Sequence, residues 1–212
     1  MGAVDKPSRR EAAAEETRRE IVEAARRLFL RHGYVGTTVE AIAEEAGVAV
    51  QTIYNAYGSK GAVLSHLLDV TIVGDDEEAS VLDRVRSRID VDTIDPAALV
   101  RDLALMAARI VARISDVWEV VESAAAVDPE IAALVAKNDS ERLRAYIFAA
   151  KLLTARRGLR RGLNVEGAAA IIWSVTGVRN HRFLVVGQGW SLERYRRWLE
   201  DALTAALLHQ EN

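Results

Sequence analysis

An all-α fold follows from three features of the sequence. The 212 residues hold only 3 prolines and 13 glycines against 50% hydrophobic and 28% charged residues, a composition that favours helices over strands. Apolar residues recur three and four positions apart through most of the chain, which is the spacing of one helical face. Many of these runs are preceded by a Ser, Thr, Asn or Asp that can accept a hydrogen bond from a first-turn amide. Together these features predict roughly nine helices in one or two domains.

Residues 1–16 are charged and Ala-rich without a stop signal and read as a flexible N-terminal arm. Thr17 and Glu20 form a capping-box pair that opens a first helix over 17–32. Ile21, Ala24, Ala25, Leu28 and Phe29 share its apolar face, and Gly33 supplies a left-handed stop. Thr37 and Glu40 repeat the box, Val39, Ile42, Ala43 and Ala46 form the next face, and Gly47-Val48 makes a turn. A short third helix carries Ile53, Tyr54 and Tyr57 and ends at Gly58-Ser59. Ser59 then caps a fourth helix with Val63, Leu64, Leu67 and Leu68 as its apolar positions. Periodicity stops at "GDDEE", residues 74–78, where like charges cluster, and a domain boundary is expected there. The expected domains are therefore 17–73 and 74–212. Further on, Asp95-Pro96 and Asp128-Pro129 each place an acceptor at an N-cap and a proline where its missing N–H costs nothing. Helices are predicted over 96–114, 116–126 and 129–157. Asn164 caps one over 165–186 and Ser191 one over 192–209.

Charge and composition exclude several functions. The formal net charge is −3, so the long-range field repels phosphate and any contact with a polyanion must be local. The absence of cysteine removes disulfides, thiolate catalysis and Cys-ligated metals. His32, His66, His181 and His209 lack paired ligand spacing, so no metal site is expected. No nucleophile–base pair, phosphate-cradling Gly loop or carboxylate dyad stands out, so neither catalytic residues nor a cofactor are predicted. The N-terminus has no apolar signal region, and the most hydrophobic stretches carry a charge every few residues, which excludes membrane spans. The expected location is the cytoplasm.

Residues 17–72 resemble the N-terminal DNA-binding domain of TetR-family transcriptional regulators. The resemblance rests on three motifs in order: A-x-x-L-F-x-x-x-G-Y from Ala25 to Tyr34, T-T-V-x-x-I-A-x-x-A-G-V from Thr37 to Val48, and T-I-Y-x-x-Y-G-S-K from Thr52 to Lys60. It implies a three-helix unit with a helix-turn-helix over about 38–57, whose third helix enters the major groove of double-stranded DNA. Val50, Gln51 and Asn55 would face bases. Thr38, Thr52, Tyr54, Tyr57 and Lys60 match positions that touch phosphates or brace the motif. Three positions depart from the family pattern: Ala49 where Ser is frequent, Val50 where a basic residue is common, and Ala56 where His or Tyr is frequent. Each removes a possible phosphate contact.

The residues themselves suit that role. Ala49-Val50-Gln51-Thr52 puts small and polar side chains on the first turn, with Ile53 and Tyr57 packing behind, so the helix can approach base edges. Gln51 can pair with adenine N6 and N7, and Val50 can meet a thymine methyl. For Tyr54 a phosphate contact and simple packing fit equally, whereas the spacing of Tyr57 favours the core. Lys60 follows a capping Ser at a helix start, where free amides already favour an anion, and reads as a phosphate clamp. Arg9, Arg10, Arg18 and Arg19 could follow the DNA backbone as an arm, although Glu15, Glu16 and Glu20 offer the two nearer arginines helix pairs instead.

In the second domain the resemblance implies an effector-binding and dimerisation region. Met106, Ile110, Trp118, Tyr146 and Trp173 are candidates for lining a pocket for a small apolar or amphipathic effector. Ala169, Ile171, Val175, Val178, Leu203 and Leu207 give wide apolar surfaces with small residues, suited to a four-helix homodimer interface. Such a dimer would place two reading helices about one DNA turn apart, roughly 34–36 Å, on a pseudo-palindromic operator. The expected function is a ligand-responsive repressor. An effector-independent DNA- or partner-binding protein, and a helical carrier or enzyme, are the alternatives.

Overall fold

The computed structural model describes residues 9–74 and 95–209, which are helical apart from short connections. Residues 1–8 of the expected arm and 75–78 of the expected boundary segment lie outside the described residues. The fold has two compact units. One takes Met1–Val70 and Asp116–Val135, the other Thr71–Ser115 and Ala136–Asn212.

The first unit begins with α1 (Arg9–His32), α2 (Val39–Ala46), α3 (Val50–Tyr57) and most of α4 (Lys60–Val73). The start of α1 at Arg9 corrects the expected cap at Thr17. The Thr17 hydroxyl instead donates to the Ala13 carbonyl one turn back at 3.0 Å, because the Ala-rich, charge-paired stretch before it is itself a good helix former. The capping box at Thr37 also shifts by one residue. Thr38 is the N-cap and accepts from the Ala41 amide, while Thr37 is buried and donates to Gly33 O at 2.8 Å. Gly47 closes α2 at φ 69°. Its amide bonds Glu44 O and that of Val48 bonds Ala43 O, the paired pattern of a Schellman stop. Ile21, Ala24, Ala25, Phe29, Ile42, Ile53, Val63, Leu64 and Leu68 are almost completely buried, and burying a Leu, Ile or Phe contributes about 1.5–3 kcal/mol. Ser59 caps α4 as expected, accepting from the Ala62 amide.

α5 (Pro96–Ala125) is one helix where two were expected. Ser115, the anticipated break, is buried inside it. Asp95 caps it by accepting from the Ala98 amide at 3.0 Å. α6 (Pro129–Ala155) follows the Asp128 cap, which accepts from the Glu130 amide.

In the second unit, the helix expected over 165–186 is divided. α7 (Val165–Val175) is capped by Asn164 and stops at Thr176-Gly177. A single turn, α8 (Val178–His181), then leads into a π-helical segment, Arg182–Gly187. The stop is local: Thr176 turns its hydroxyl to Ile172 O, and Asn180 donates to the freed carbonyls of Ser174 and Val175. α9 (Leu192–Leu207) starts at the Ser191 cap. Leu99, Val100, Ala104, Leu153, Ala168, Ile172, Tyr195, Leu199, Leu203 and Leu207 form the buried set of this unit.

Candidate nucleic-acid interface

α3 meets the outside along one face. Ile53 is completely buried, while Gln51, Tyr54 and Asn55 are exposed and Val50 and Thr52 half-buried. Ala49 supplies no side-chain cap and only its carbonyl takes the Thr52 amide, at 2.8 Å, so the Val50 and Gln51 amides and the positive end of the helix dipole are open to an anion. Gln51 Nε2 donates to Asn55 Oδ1 at 2.9 Å. This i,i+4 bond orients both amides, leaving the Gln51 oxygen as an acceptor and the Asn55 nitrogen as a donor. Those are the two groups that an adenine edge requires at N6 and N7. Another part of the unit's surface, where α1 meets the end of α2, is acidic. A shallow cleft of about 290 Å³ there is lined by Glu16, Arg19, Glu20, Glu23, Arg27, Glu45 and Ala46, an unfavourable surface for phosphate.

The bracing of α3 is also visible. Tyr57 lays its ring on His66, with centroids 5.5 Å apart, and its hydroxyl reaches Arg18 O at 3.3 Å, so α3 is pinned from behind. Thr38 is exposed with its hydroxyl oxygen engaged as a cap, and its hydroxyl proton remains available for a further acceptor.

Lys60, the expected phosphate clamp, has two of its three N–H donors engaged within the unit. Its ammonium donates to the carbonyls of Tyr34 and Thr37, both at 2.8 Å, and lies 4.1 Å from the centre of the Tyr34 ring. It staples the loop between α1 and α2. Burial pushes its pKa down while the Asp128 carboxylate opposes that shift. The Tyr34 hydroxyl in turn donates to Asp128 Oδ2, and Ser59 donates to Glu130 Oε2 at 2.7 Å. Burial, then the Asp128 hydrogen bond, push the Tyr34 phenol well above its ordinary value. That same hydrogen bond holds the Asp128 carboxyl below its own. Sequence reasoning missed this cluster because the second oxygen of an N-cap aspartate leaves no mark in a helical pattern.

Three of the arginines of α1 are paired with glutamates. Arg18 lies 3.7 Å from Glu15 and Arg19 2.6 Å from Glu16, one helical turn apart, while Arg27 bonds Glu45 at 2.8 Å and ties α1 to α2. The pairs are solvent-exposed and contribute little to stability. Arg10 is exposed.

Among the pocket candidates, Met106, Ile110, Tyr146 and Trp173 fall in the second unit and Trp118 in the first. All five are part-buried. Tyr146 and Trp173 come together edge to face at 6.2 Å. Of the interface candidates, Ala169, Val178, Leu203 and Leu207 are buried within the protomer's own core. Periodicity marks an apolar residue without saying whether its own chain or a second copy covers it. Ile171 and Val175 keep part of their surface open on α7. Among the described residues no cluster of His, Asp or Glu could hold a metal ion, and no helix is long and apolar enough to cross a membrane.

Comparison with known proteins is consistent with this geometry. Residues 21–67 match the family model described as bacterial regulatory proteins, tetR family. The HTH-type transcriptional regulator TtgR of Pseudomonas putida is 37% identical over 92 residues, 43% of this chain and 41% of the relative. The chain thus spans about two fifths of the length of the curated relatives it matches. Among solved structures, native NalD, the secondary repressor of the MexAB-OprM multidrug efflux pump in Pseudomonas aeruginosa, superposes with a TM-score of 0.72 at 19% identity, covering 93% of this chain and 100% of that one. A putative transcriptional regulator from Saccharomonospora viridis in complex with choline gives 0.68 at 22% identity, covering 92% and 100%.

Proposed function

We propose, from the match of residues 21–67 to the tetR family of bacterial regulatory proteins, that the chain is a homodimeric, sequence-specific repressor that a small amphipathic effector releases from DNA. The observation that carries this reading is the outward pair Gln51–Asn55 on α3, pre-oriented by its own hydrogen bond and backed by the buried Ile53. Gln51 and Asn55 read base edges, and Val50 takes a thymine methyl. Thr38, Thr52, Tyr54 and the open amides of α3 hold phosphates. Tyr57 and Lys60 act one step back, by fixing α3 and the α1–α2 loop. The partner surface centres on the open faces of α7 and α9, including Ile171 and Val175. Repression is the activity named for NalD and a small bound cation the one named for the S. viridis regulator; both favour a ligand-released repressor here. The proposed location is the cytoplasm, where the operator is.

Release follows from a difference in effector affinity between two arrangements of the dimer, since a ligand shifts an equilibrium only by that difference. α6 is the natural carrier. Its first turn holds Glu130, bonded to Ser59, next to the Asp128 cap that is bonded to Tyr34; the same helix continues to Arg142 and Tyr146. The test is selection of bound sequences from a random DNA pool by the full-length protein, repeated with Gln51→Ala. A pseudo-palindromic consensus that relaxes at one position per half-site in the variant is expected. Failure to enrich any consensus overturns the proposal.

A further inference from the structure

Among the described residues, two buried side-chain nitrogen or oxygen atoms have no hydrogen-bond partner, and both lie in the second unit. Thr176 commits its hydroxyl proton to Ile172 O at 2.7 Å, so the 2.8 Å contact with Tyr146 is one in which the Tyr146 hydroxyl donates. Ser115 Oγ and His181 Nδ1 lie 3.3 Å apart. Arg113, Arg144 and Arg196 all reach oxygen acceptors. The two unpartnered groups are Arg142 Nε and the Tyr195 hydroxyl, both withdrawn from solvent. Native chains leave few such groups, and each calls for an explanation.

The surroundings of the two groups are specific. The Arg142 guanidinium lies 3.7 Å from the centre of the Trp173 ring and 5.8 Å from that of Tyr146. The rings stabilise its charge, but the N–H bonds of a guanidinium lie in its plane and still require an acceptor at the edge. Tyr195 is completely buried, stacked on Trp198 at 5.8 Å and edge-on to His181 at 5.2 Å. Burial first, then the neighbouring Tyr146, raise its pKa well above the ordinary phenol value, so its hydroxyl keeps its proton and is a donor in waiting. One cation, beside the rings of Tyr146 and Trp173, and one neutral donor, beside those of Trp198 and His181 and within the electrostatic reach of Tyr146, thus have no acceptor among the described residues.

We propose that Arg142 and Tyr195 mark the polar end of the effector site and that the effector is an amphipathic carboxylate. This rests on the ligand-released repressor proposed above and names its ligand class. A carboxylate offers two in-plane oxygens to the guanidinium edge, and its single charge is balanced by the single arginine. A phosphate dianion would leave one charge uncompensated in a poorly solvated site. The apolar body lies along the aromatic rings. Arg142 supplies charge and orientation, and Tyr195 donates to the oxygen that Arg142 leaves free or to a second acceptor on the body.

The test uses the full-length dimer and a matched panel: octanoate, decanoate and 4-phenylbutyrate, each beside its primary amide, titrated by calorimetry and tryptophan fluorescence. The native protein is expected to bind at least one acid about 10- to 100-fold tighter than its amide, as a charge-assisted hydrogen bond predicts. Arg142→Gln is expected to bring the acid-to-amide ratio close to one, and Tyr195→Phe to lower it by less. Because the ratio is internal to each variant, residual amide binding reports that the variant is folded. Arg142→Lys, which keeps the charge and loses the planar fork, serves if the glutamine variant loses its helical circular dichroism. Equal affinities, a preference for amides, no saturable binding of any member, or a native ratio retained in Arg142→Gln overturns the inference. Release of selected DNA by an amide and not by its acid would also overturn it while leaving the repressor in place. Failure to select DNA at all would remove the repressor without touching the binding ratios.

Discussion

Replacing Lys60 with methionine removes an ammonium and keeps an unbranched stem of similar length, so it isolates the two bonds to Tyr34 O and Thr37 O. Hydrogen bonds involving a charged group each contribute about 1.5–3 kcal/mol net. Lys60 is only half-buried, so water replaces part of what is lost. Removing a burial-depressed ammonium also recovers some desolvation cost. A net loss of about 2 kcal/mol is expected, confined to the first unit. With two compact units, one global unfolding energy is poorly defined. The assay is therefore amide hydrogen exchange across residues 33–46, where protection should fall roughly 30-fold, the equivalent of that free energy. In parallel, the slope of log K for DNA against log salt should be unchanged, because no phosphate contact is lost. A slope shallower by about one unit per half-site, with exchange unaltered, would show Lys60 to be on the DNA and refute the staple.

Four other substitutions follow from the same geometry. Gly47→Ala places a β-carbon at φ 69°, where no neighbour blocks it but the backbone itself is strained; about 1 kcal/mol of stability should be lost, read by urea denaturation followed at the first unit. Gln51→Ala and Asn55→Ala should be non-additive for operator affinity, since each removes the other's orienting partner, by about 0.5 kcal/mol or more in a double-mutant cycle. Tyr34→Phe removes the leading cause of the lowered Asp128 pKa. A carboxyl with a depressed folded pKa stabilises above its ordinary value of 3.8 and loses that contribution as pH falls through the lower one. The native protein should therefore be the more stable near neutrality, with the gap from the variant narrowing in acid when both are followed by pH-dependent denaturation.

The parts legible from the sequence were those written in local chemistry. Asp95, Asn164, Ser59 and Ser191 cap the helices they were expected to cap because a cap is a contact across three residues. The order Gly33, Gly47, Gly58 punctuates the first unit for the same reason. Local signals also mislead where two residues can perform one task. Thr37 and Thr38 both offer a hydroxyl before α2, and only burial of the first decides that the second caps. Thr17 resembled a start because the stretch before it lacks an apolar face, yet alanine needs none to be helical. On α3, the exposed and buried faces were readable from the spacing of Ile53 against Gln51 and Asn55. Lys60 was not, because its acceptors are carbonyls more than twenty residues away, and backbone acceptors are the same at every position. The core positions of Leu203 and Leu207 belong to the same class of long-range fact.

The acidic balance of the chain takes on a definite meaning once the cations are placed. Lys60 is occupied by carbonyls, and Arg18, Arg19 and Arg27 by Glu15, Glu16 and Glu45. In the proposed reading, what α3 and the start of α2 offer to phosphate is chiefly neutral: the Val50 and Gln51 amides and the hydroxyls of Thr38, Thr52 and Tyr54. Neutral donors hold phosphate at short range but release few counterions and create no long-range field. A protein built this way gains little from nonspecific DNA and depends on the fit of the amide pair at its site. In the proposed dimer the fit would be made twice, in register, and a change in the spacing of the two heads would switch binding without altering either one. Tyr34 and Ser59 bind the Asp128–Glu130 segment within one unit, so in the proposed switch a displacement of the start of α6 would carry the reading head with it.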